Sequence, residues 1–309
     1  MKKIIVSLAA LFAAAAVMSA QSMAEATETA KLANESLSAG EYTTALAGFK
    51  EALKMAEACG DEGLELVATC KDIIPKTMNA IAKEELKEKR YDEAIAKFQE
   101  TIAVANEYGD EETARKAADL IPQIYMQKGG ALINAKDFAG AADVYAKVLE
   151  GNPANGVAAL RLGQCLEACG KGDEAVEAYT TAAANGQEKN ANAQLGKLYL
   201  KRAAASLEAK KYADAVKDAL TSNEYVANPK AIFVAGQASQ RAGKNADAIK
   251  YFEQYLEAEP NAKNAGTVAY TVGALYQQAK NNAKAKEFFS KAVNDPKVGE
   301  DAKKALKSL

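Results

Sequence analysis

The pattern that most restricts what this chain can fold into is one it repeats. The run Tyr91-Asp92-Glu93-Ala94-Ile95-Ala96-Lys97-Phe98 is echoed from Tyr42 to Phe49, Phe138 to Tyr145, Tyr212 to Ala219 and Asn245 to Phe252. Its anchor alanines are Ala45, Ala94, Ala141, Ala175, Ala215, Ala248 and Ala285, separated by 49, 47, 34, 40, 33 and 37 residues. A small anchor lets two helices approach closely, and a ring four residues later lies on the same helical face and fills the space beside it. Each helix pair then buries one stripe against its partner and another against the next pair. Such a unit does not fold alone but stacks into an array. No strand-like alternation separates the copies, so the expected fold is all-α.

Composition agrees and narrows function. The chain has 309 residues, 49% hydrophobic but only 7% aromatic, with six prolines and no Trp or His. Absence of histidine removes Ser-His-Asp and Cys-His nucleophile pairs and every imidazole zinc site. The long early intervals are copies of an elongated unit. Gly60-Asp61-Glu62 matches Gly109-Asp110-Glu111, and Asp72-Ile73-Ile74-Pro75 matches Asp119-Leu120-Ile121-Pro122. About seven extra residues in each helix add two turns and nearly restore the buried face. Residues 62–89 and 111–135 are then long first helices. Pro75 and Pro122 should kink or interrupt them, because each lacks an amide donor and crowds the carbonyl four residues earlier, at Lys71 and Ala118. All six prolines, Pro75, Pro122, Pro153, Pro229, Pro260 and Pro296, are expected near junctions of this phasing.

Three copies carry a fuller signature: Leu162-Gly163, Gly170, Ala175, Tyr179 and Ala182; Ala235-Gly236, Gly243, Ala248, Phe252 and Pro260; and Val272-Gly273, Tyr276, Ala285, Phe289 and Ala292. In these residues the chain resembles the tetratricopeptide repeat. The second and fifth copies depart from it, with Ile81-Ala82 and Arg202-Ala203 in place of the Leu-Gly pair. The resemblance implies a right-handed α-solenoid of about seven helix pairs over 25–309, with repeats near 26–59, 62–108, 111–155, 156–189, 190–228, 229–262 and 266–299 and a cap at 299–309. Lys303, Lys304 and Lys307 give that cap a polar outer face.

Residues 1–24 read as a signal peptide. Lys2 and Lys3 precede an uncharged run from Ile4 to Met18, shorter than the roughly 20 residues that span a bilayer. Cleavage is expected between residues 20 and 24, after Ala20 or after Ala24; an uncleaved anchor is the competing reading. The expected location is therefore exported, periplasmic or secreted, with membrane contact only through the cleaved signal. Losing Lys2 and Lys3 takes the formal net charge from −2 to −4, without the basic footprint of a nucleic-acid binder.

Cys59, Cys70, Cys165 and Cys169 form neither a CxxC site nor a small disulfide framework. Cys165 and Cys169, at i and i+4, read as packing residues. The charge run from Lys83 to Arg90 reads as a solvated helix face. No catalytic residue, cofactor or metal site is expected. In tetratricopeptide proteins ligands lie along the concave wall of first helices. Carried over by resemblance, that wall includes Phe233, Gln237, Gln240, Arg241, Tyr270, Gln277 and Gln278, with Gln123, Met126, Leu160 and Gln164 earlier. Lys76, Asn79, Lys83 and Lys87 form a secondary face. Amides suit an extended peptide backbone and sugar hydroxyls alike. The expected function is a non-catalytic protein- or peptide-binding scaffold in the bacterial cell envelope, with a carbohydrate-binding accessory protein as the alternative. The family's carboxylate clamp for acidic peptide C-termini is not reproduced.

Overall fold

The computed structural model describes residues 22–309; the expected signal peptide, residues 1–24, lies outside the described residues up to position 21. Among the described residues there are helices and turns and no strand. Residues 22–38 are helical (α1). They are followed by α2 (Tyr42–Ala58), a 3-10 turn (Gly60–Gly63), α3 (Leu64–Lys87), α4 (Tyr91–Tyr108), α5 (Glu111–Asn134) and α6 (Phe138–Gly151). Then come α7 (Gly156–Ala168), α8 (Gly172–Ala182), a π turn (Ala183–Gln187), α9 (Glu188–Glu208), α10 (Tyr212–Tyr225), α11 (Pro229–Arg241), α12 (Asn245–Ala258), α13 (Ala265–Gln278), α14 (Asn282–Ala292) and α15 (Gly299–Ser308). The chain divides into two compact units, up to Gly151 and from Asn152 onward. Within the first, α2 packs on α3 and α4 on α5; within the second, α8 packs on α9, α10 on α11, α12 on α13 and α14 on α15. Each unit is thus a run of helix pairs in the tetratricopeptide-like arrangement.

Seven equivalent turns join the helices of each pair. The first helix ends in a residue with positive φ: Gly40, Lys89, Lys136, Gly170, Lys210, Gly243 and Lys280. The next amide reaches back five residues, as Arg90 N–H does to Glu85 O and Asn281 N–H to Tyr276 O, at 2.8–2.9 Å in all seven. The positive-φ amide itself bonds three residues back, at 2.9–3.2 Å. This double bond is the Schellman arrangement, which satisfies carbonyls that a helix end would leave orphaned. The residue after each αL position then opens the second helix, its carbonyl accepting from the anchor alanine four residues on, from Ala45 to Ala285. The turn therefore fixes the anchor's position in the pair.

All seven anchor alanines are fully buried. Four residues later Phe49, Phe98, Tyr145, Tyr179, Phe252 and Phe289 are at most 2% exposed. Opposite four of these rings the first helix has no room for a side chain, while Ala33 and Ala82 stand opposite Phe49 and Phe98. A methyl placed at Gly129, Gly163, Gly236 or Gly273 would lie 2.6, 2.6, 2.7 or 2.8 Å from the ring of Tyr145, Tyr179, Phe252 or Phe289. The fifth pair is built differently. Its ring position is Ala219, and Arg202 stands where the third copy carries Lys128, bonded to Asp92 at 2.6 Å, and the others an apolar residue. The Arg202 guanidinium reaches Asp173 on α8 at 2.8 Å and Asp218 on α10 at 3.5 Å. It also lies 5.3 Å from the ring centre of Tyr199, which stacks on Tyr225 at 5.8 Å.

Two expectations change. The extra length of the early copies is not shared equally: α5 has 24 residues against 13 in α7, while α4 has 18 against 14 in α6. Those differences of 11 and 4 are close to three turns and one turn at 3.6 residues per turn, so the buried face returns to the same side. The prolines do not interrupt their helices. α3 runs from Leu64 to Lys87 through Pro75, and α5 from Glu111 to Asn134 through Pro122. Each helix is clamped on both sides, α3 by α2 and α4 and α5 by α4 and α6. That packing outweighs one missing amide bond, and Pro75 itself is buried beside Ile74 and Met78.

Gly163→Ala and Gly236→Ala should each lower stability by about 1–3 kcal/mol through overpacking against a ring. Gly130→Ala, where a methyl meets nothing within 4 Å, should raise it by about 0.5–1 kcal/mol. Thermal or urea unfolding reads all three; equal effects would show that the rings do not set the helix spacing. Replacing Lys89, Lys136, Lys210 or Lys280 by glycine should stabilise by about 0.5–1 kcal/mol each, since an L-residue is strained at positive φ. A loss of stability in the same assay would contradict that reading of the turns.

Candidate functional site

The expected residues of α11 and α13 lie in the second unit. α11 starts at Pro229 under the Asn228 side chain, which accepts from Lys230 N–H at 3.0 Å. From there Phe233, Gln237, Gln240 and Arg241 follow at helical spacing along one stripe. Gln240 and Arg241 are exposed, while Gln237 and Phe233 are half-buried. The Phe233 ring packs on its own pair, 5.0 Å from Tyr255 and 6.0 Å from Phe252. Tyr270 likewise lies 5.4 Å from Phe289. Both rings are therefore partly engaged within their pairs rather than standing free. Gln277 and Gln278 are exposed at the end of α13, where Gln278 Oε1 accepts from Asn245 Nδ2 at 3.2 Å.

The secondary face lies on α3, in the first unit. Lys76 pairs with Asp72 and Lys87 with Glu84, both at 2.5 Å, and Lys83 is exposed. The hydrogen bond from Asp72 pushes the Lys76 ammonium above its usual range. Asn79 is half-buried, and its Oδ1 has no hydrogen-bond partner among the described residues. Much of the positive charge of this stripe is thus neutralised one helical turn away.

A feature the sequence reading only touched is a hollow of about 400 Å³ among α7, α8 and α9, lined by Gln164, Glu167, Ala168, Tyr179, Gln194 and Lys201. Gln164 was expected on the wall; Glu167, Gln194 and Lys201 were not. The available signal was spacing: Gln194 and Lys201 are seven residues apart and share a face of α9. The Tyr179 hydroxyl donates to Glu167 Oε2 at 3.0 Å. Burial, reinforced by the Glu167 charge, holds that phenol far above its ordinary value. It remains a proton donor at neutral pH, pinning Glu167 at the rim. The hollow thus offers two amides, one ammonium and one carboxylate within reach of a ligand.

A second, larger cleft of about 510 Å³ opens between α12 and α14 above the small residues Ala265, Gly266 and Ala269 of α13. There Tyr276 donates to Glu253 Oε1 at 2.8 Å, and burial pushes its phenol up to about 12. Lys291 sits 4.2 Å over the Phe288 ring and pairs with Glu287 at 2.9 Å. All four cysteines are free; burial pushes the Cys165 thiol up to about 11, a poor nucleophile at neutral pH. Among the described residues no group of three or more His, Cys, Asp or Glu is arranged to hold a metal ion, and no helix is long and apolar enough to cross a membrane.

Two family models match the chain, both described as tetratricopeptide repeat, at residues 132–198 and 229–262. No curated protein sequence matches it. Among solved structures, that of MamA is 20% identical and aligns over 59% of this chain and 96% of its own, with a TM-score of 0.38. That of YrrB, described as a TPR protein with an unusual peptide-binding site, is 21% identical over 60% of this chain and 91% of its own, at 0.35. The TPR domain of P58(IPK) aligns over 92% of this chain and 97% of its own, at 14% identity and 0.29. The two matched segments identify tetratricopeptide repeats in this chain.

Proposed function

We propose that the chain is a non-catalytic scaffold of the bacterial cell envelope that holds a protein or peptide segment along the concave, first-helix face of its second unit. Tetratricopeptide repeats generally serve as protein-interaction scaffolds. The observation that carries the reading is the polar hollow at Gln164, Glu167, Gln194 and Lys201. Its mixture of donors and acceptors matches a peptide main chain, which presents one of each per residue. Farther along, Gln237, Gln240 and Arg241 on α11 and Gln277 and Gln278 on α13 continue the amide-rich surface, with Phe233 and Tyr270 offering their open edges. Exported location follows from the basic and apolar start of residues 1–24. The amide surface would also suit sugar hydroxyls, which keeps a carbohydrate-binding accessory protein as the second reading.

Capture from envelope extract, set beside a glycan array, separates these two readings. Because Phe233 and Tyr270 also pack inside their pairs, their joint replacement by alanine tests binding only when circular dichroism shows the helices intact. It should then weaken a captured partner by about 2 kcal/mol or more if the rings are anchors. The exposed pair Gln240→Ala and Arg241→Ala, and separately Gln164→Ala with Lys201→Ala, should each reduce affinity about tenfold with no change in melting temperature. Unchanged affinity in all three variants would remove the ligand from this face.

A further inference from the structure

The modest net charge of the chain conceals a division. Residues 25–151 carry 15 Lys and Arg against 24 Asp and Glu, a net −9; residues 152–309 carry 22 against 17, a net +5. The asymmetry is carried through to the two outermost described elements. The first pair, residues 25–58, has six acids against three lysines, whereas residues 280–309 have eight lysines against four acids.

These charges sit on faces that no other described element covers. On α1 the buried side is marked by Ala26 and Ala33. The opposite stripe is Glu25, Glu28, Leu32 and Glu35, all exposed, at spacings of three, four and three residues. Lys31 pairs with Glu28 at 3.4 Å, while the carboxylates of Glu25 and Glu35 have no partner among the described residues. Leu32, in the middle, is 54% exposed. The outermost helix of a repeat array normally turns a polar face to water, so a leucine there ringed by acids has the makeup of a contact surface. At the other end α15 buries Ala302 and half-buries Ala305, Leu306 and Leu309. Its outer side carries Lys303, Lys304 and Lys307. All four acids of this region are already engaged: Glu287 with Lys284 and Lys291, Glu300 with Lys303, Asp301 with Lys304, and Asp295 with the amides of Lys297 and Val298. Among the described residues Lys280, Lys286, Lys297 and Lys307 form no direct ion pair with a carboxylate, although Lys297 and Lys307 act at longer range on Asp295 and Glu300. The first end therefore has spare anions and the last has spare cations.

We infer that the chain associates head to tail with a second copy of itself, the acidic outer stripe of α1 around Leu32 receiving the lysine-rich α14–α15 end of its neighbour. The two faces differ, so the contact is heterologous: each copy keeps one face of each kind open, and association continues into rings or filaments. A contact of this size, dominated by exposed ion pairs, is weak and strongly salt-dependent.

Sedimentation velocity of the purified protein over a range of concentrations, at low and at high salt, tests this. Self-association is expected at low salt and its loss at high salt. The triple change Glu25→Lys, Glu28→Lys and Glu35→Lys should abolish it, as should Lys303→Glu, Lys304→Glu and Lys307→Glu, while an equimolar mixture of the two variants should recover it. Leu32→Arg, at a position too exposed to matter for folding, should weaken association about tenfold or more and serves as the control should the lysine variant lose its last helix. A protein monomeric at every concentration in low salt, triple variants that associate like the parent, or folded variants whose mixture stays monomeric would each overturn the proposal.

Discussion

In four of the seven pairs the distance between the two helices is set by a ring on one helix pressed against the backbone of the other. Gly163 against Tyr179, Gly236 against Phe252 and Gly273 against Phe289 leave no space for even a methyl group. A ring held this closely fixes both the separation and the rotation of the two helices, since only one face of the first helix lacks side chains. The neighbouring pair then packs against a surface of defined shape. The Schellman turn belongs to the same device, because it positions the anchor alanine, and through it the ring, relative to the end of the first helix.

Much of this was legible before any coordinates. Anchor alanines and rings recur with a helical period, and burial at those positions is a matter of size and spacing that a sequence displays directly. The turns were only half legible. Glycine announces a left-handed residue, but Lys89, Lys136, Lys210 and Lys280 take the same conformation without any sign in their side chains. The interruption allowed for at Pro75 and Pro122 does not occur, because local rules weigh a lost hydrogen bond without the two flanking helices that hold the segment in place. Partition of the extra length into about three turns and one was hidden for a related reason: a repeat interval reports a total, not its division between helices.

The candidate site shows where spacing stops being informative. Helical periodicity correctly places Phe233 and Tyr270 on first helices, yet how far each ring leans onto Tyr255 or Phe289 depends on side-chain packing. The hollow beside Tyr179 escaped notice for the opposite reason. Tyr179 is a core ring by every sequence criterion, and only the fold shows its hydroxyl emerging to hold Glu167 at the rim. One side chain thus serves the interior with its ring and the surface with its oxygen, as amphipathic aromatics are suited to do.

The fifth pair, with Ala219 in place of the ring, keeps a buried core of Ala203, Leu207, Ala215 and Ala219 and adds Arg202 bridging Asp173 and Asp218 at its rim. In a quasi-one-dimensional array each pair is stabilised by its neighbours, so cooperativity passes along the chain only as strongly as its weakest junction. Ring contacts barely respond to ionic strength, whereas a partly exposed guanidinium does. Rising salt therefore weakens the Arg202 bridges while leaving the buried contacts between α9 and α10 in place.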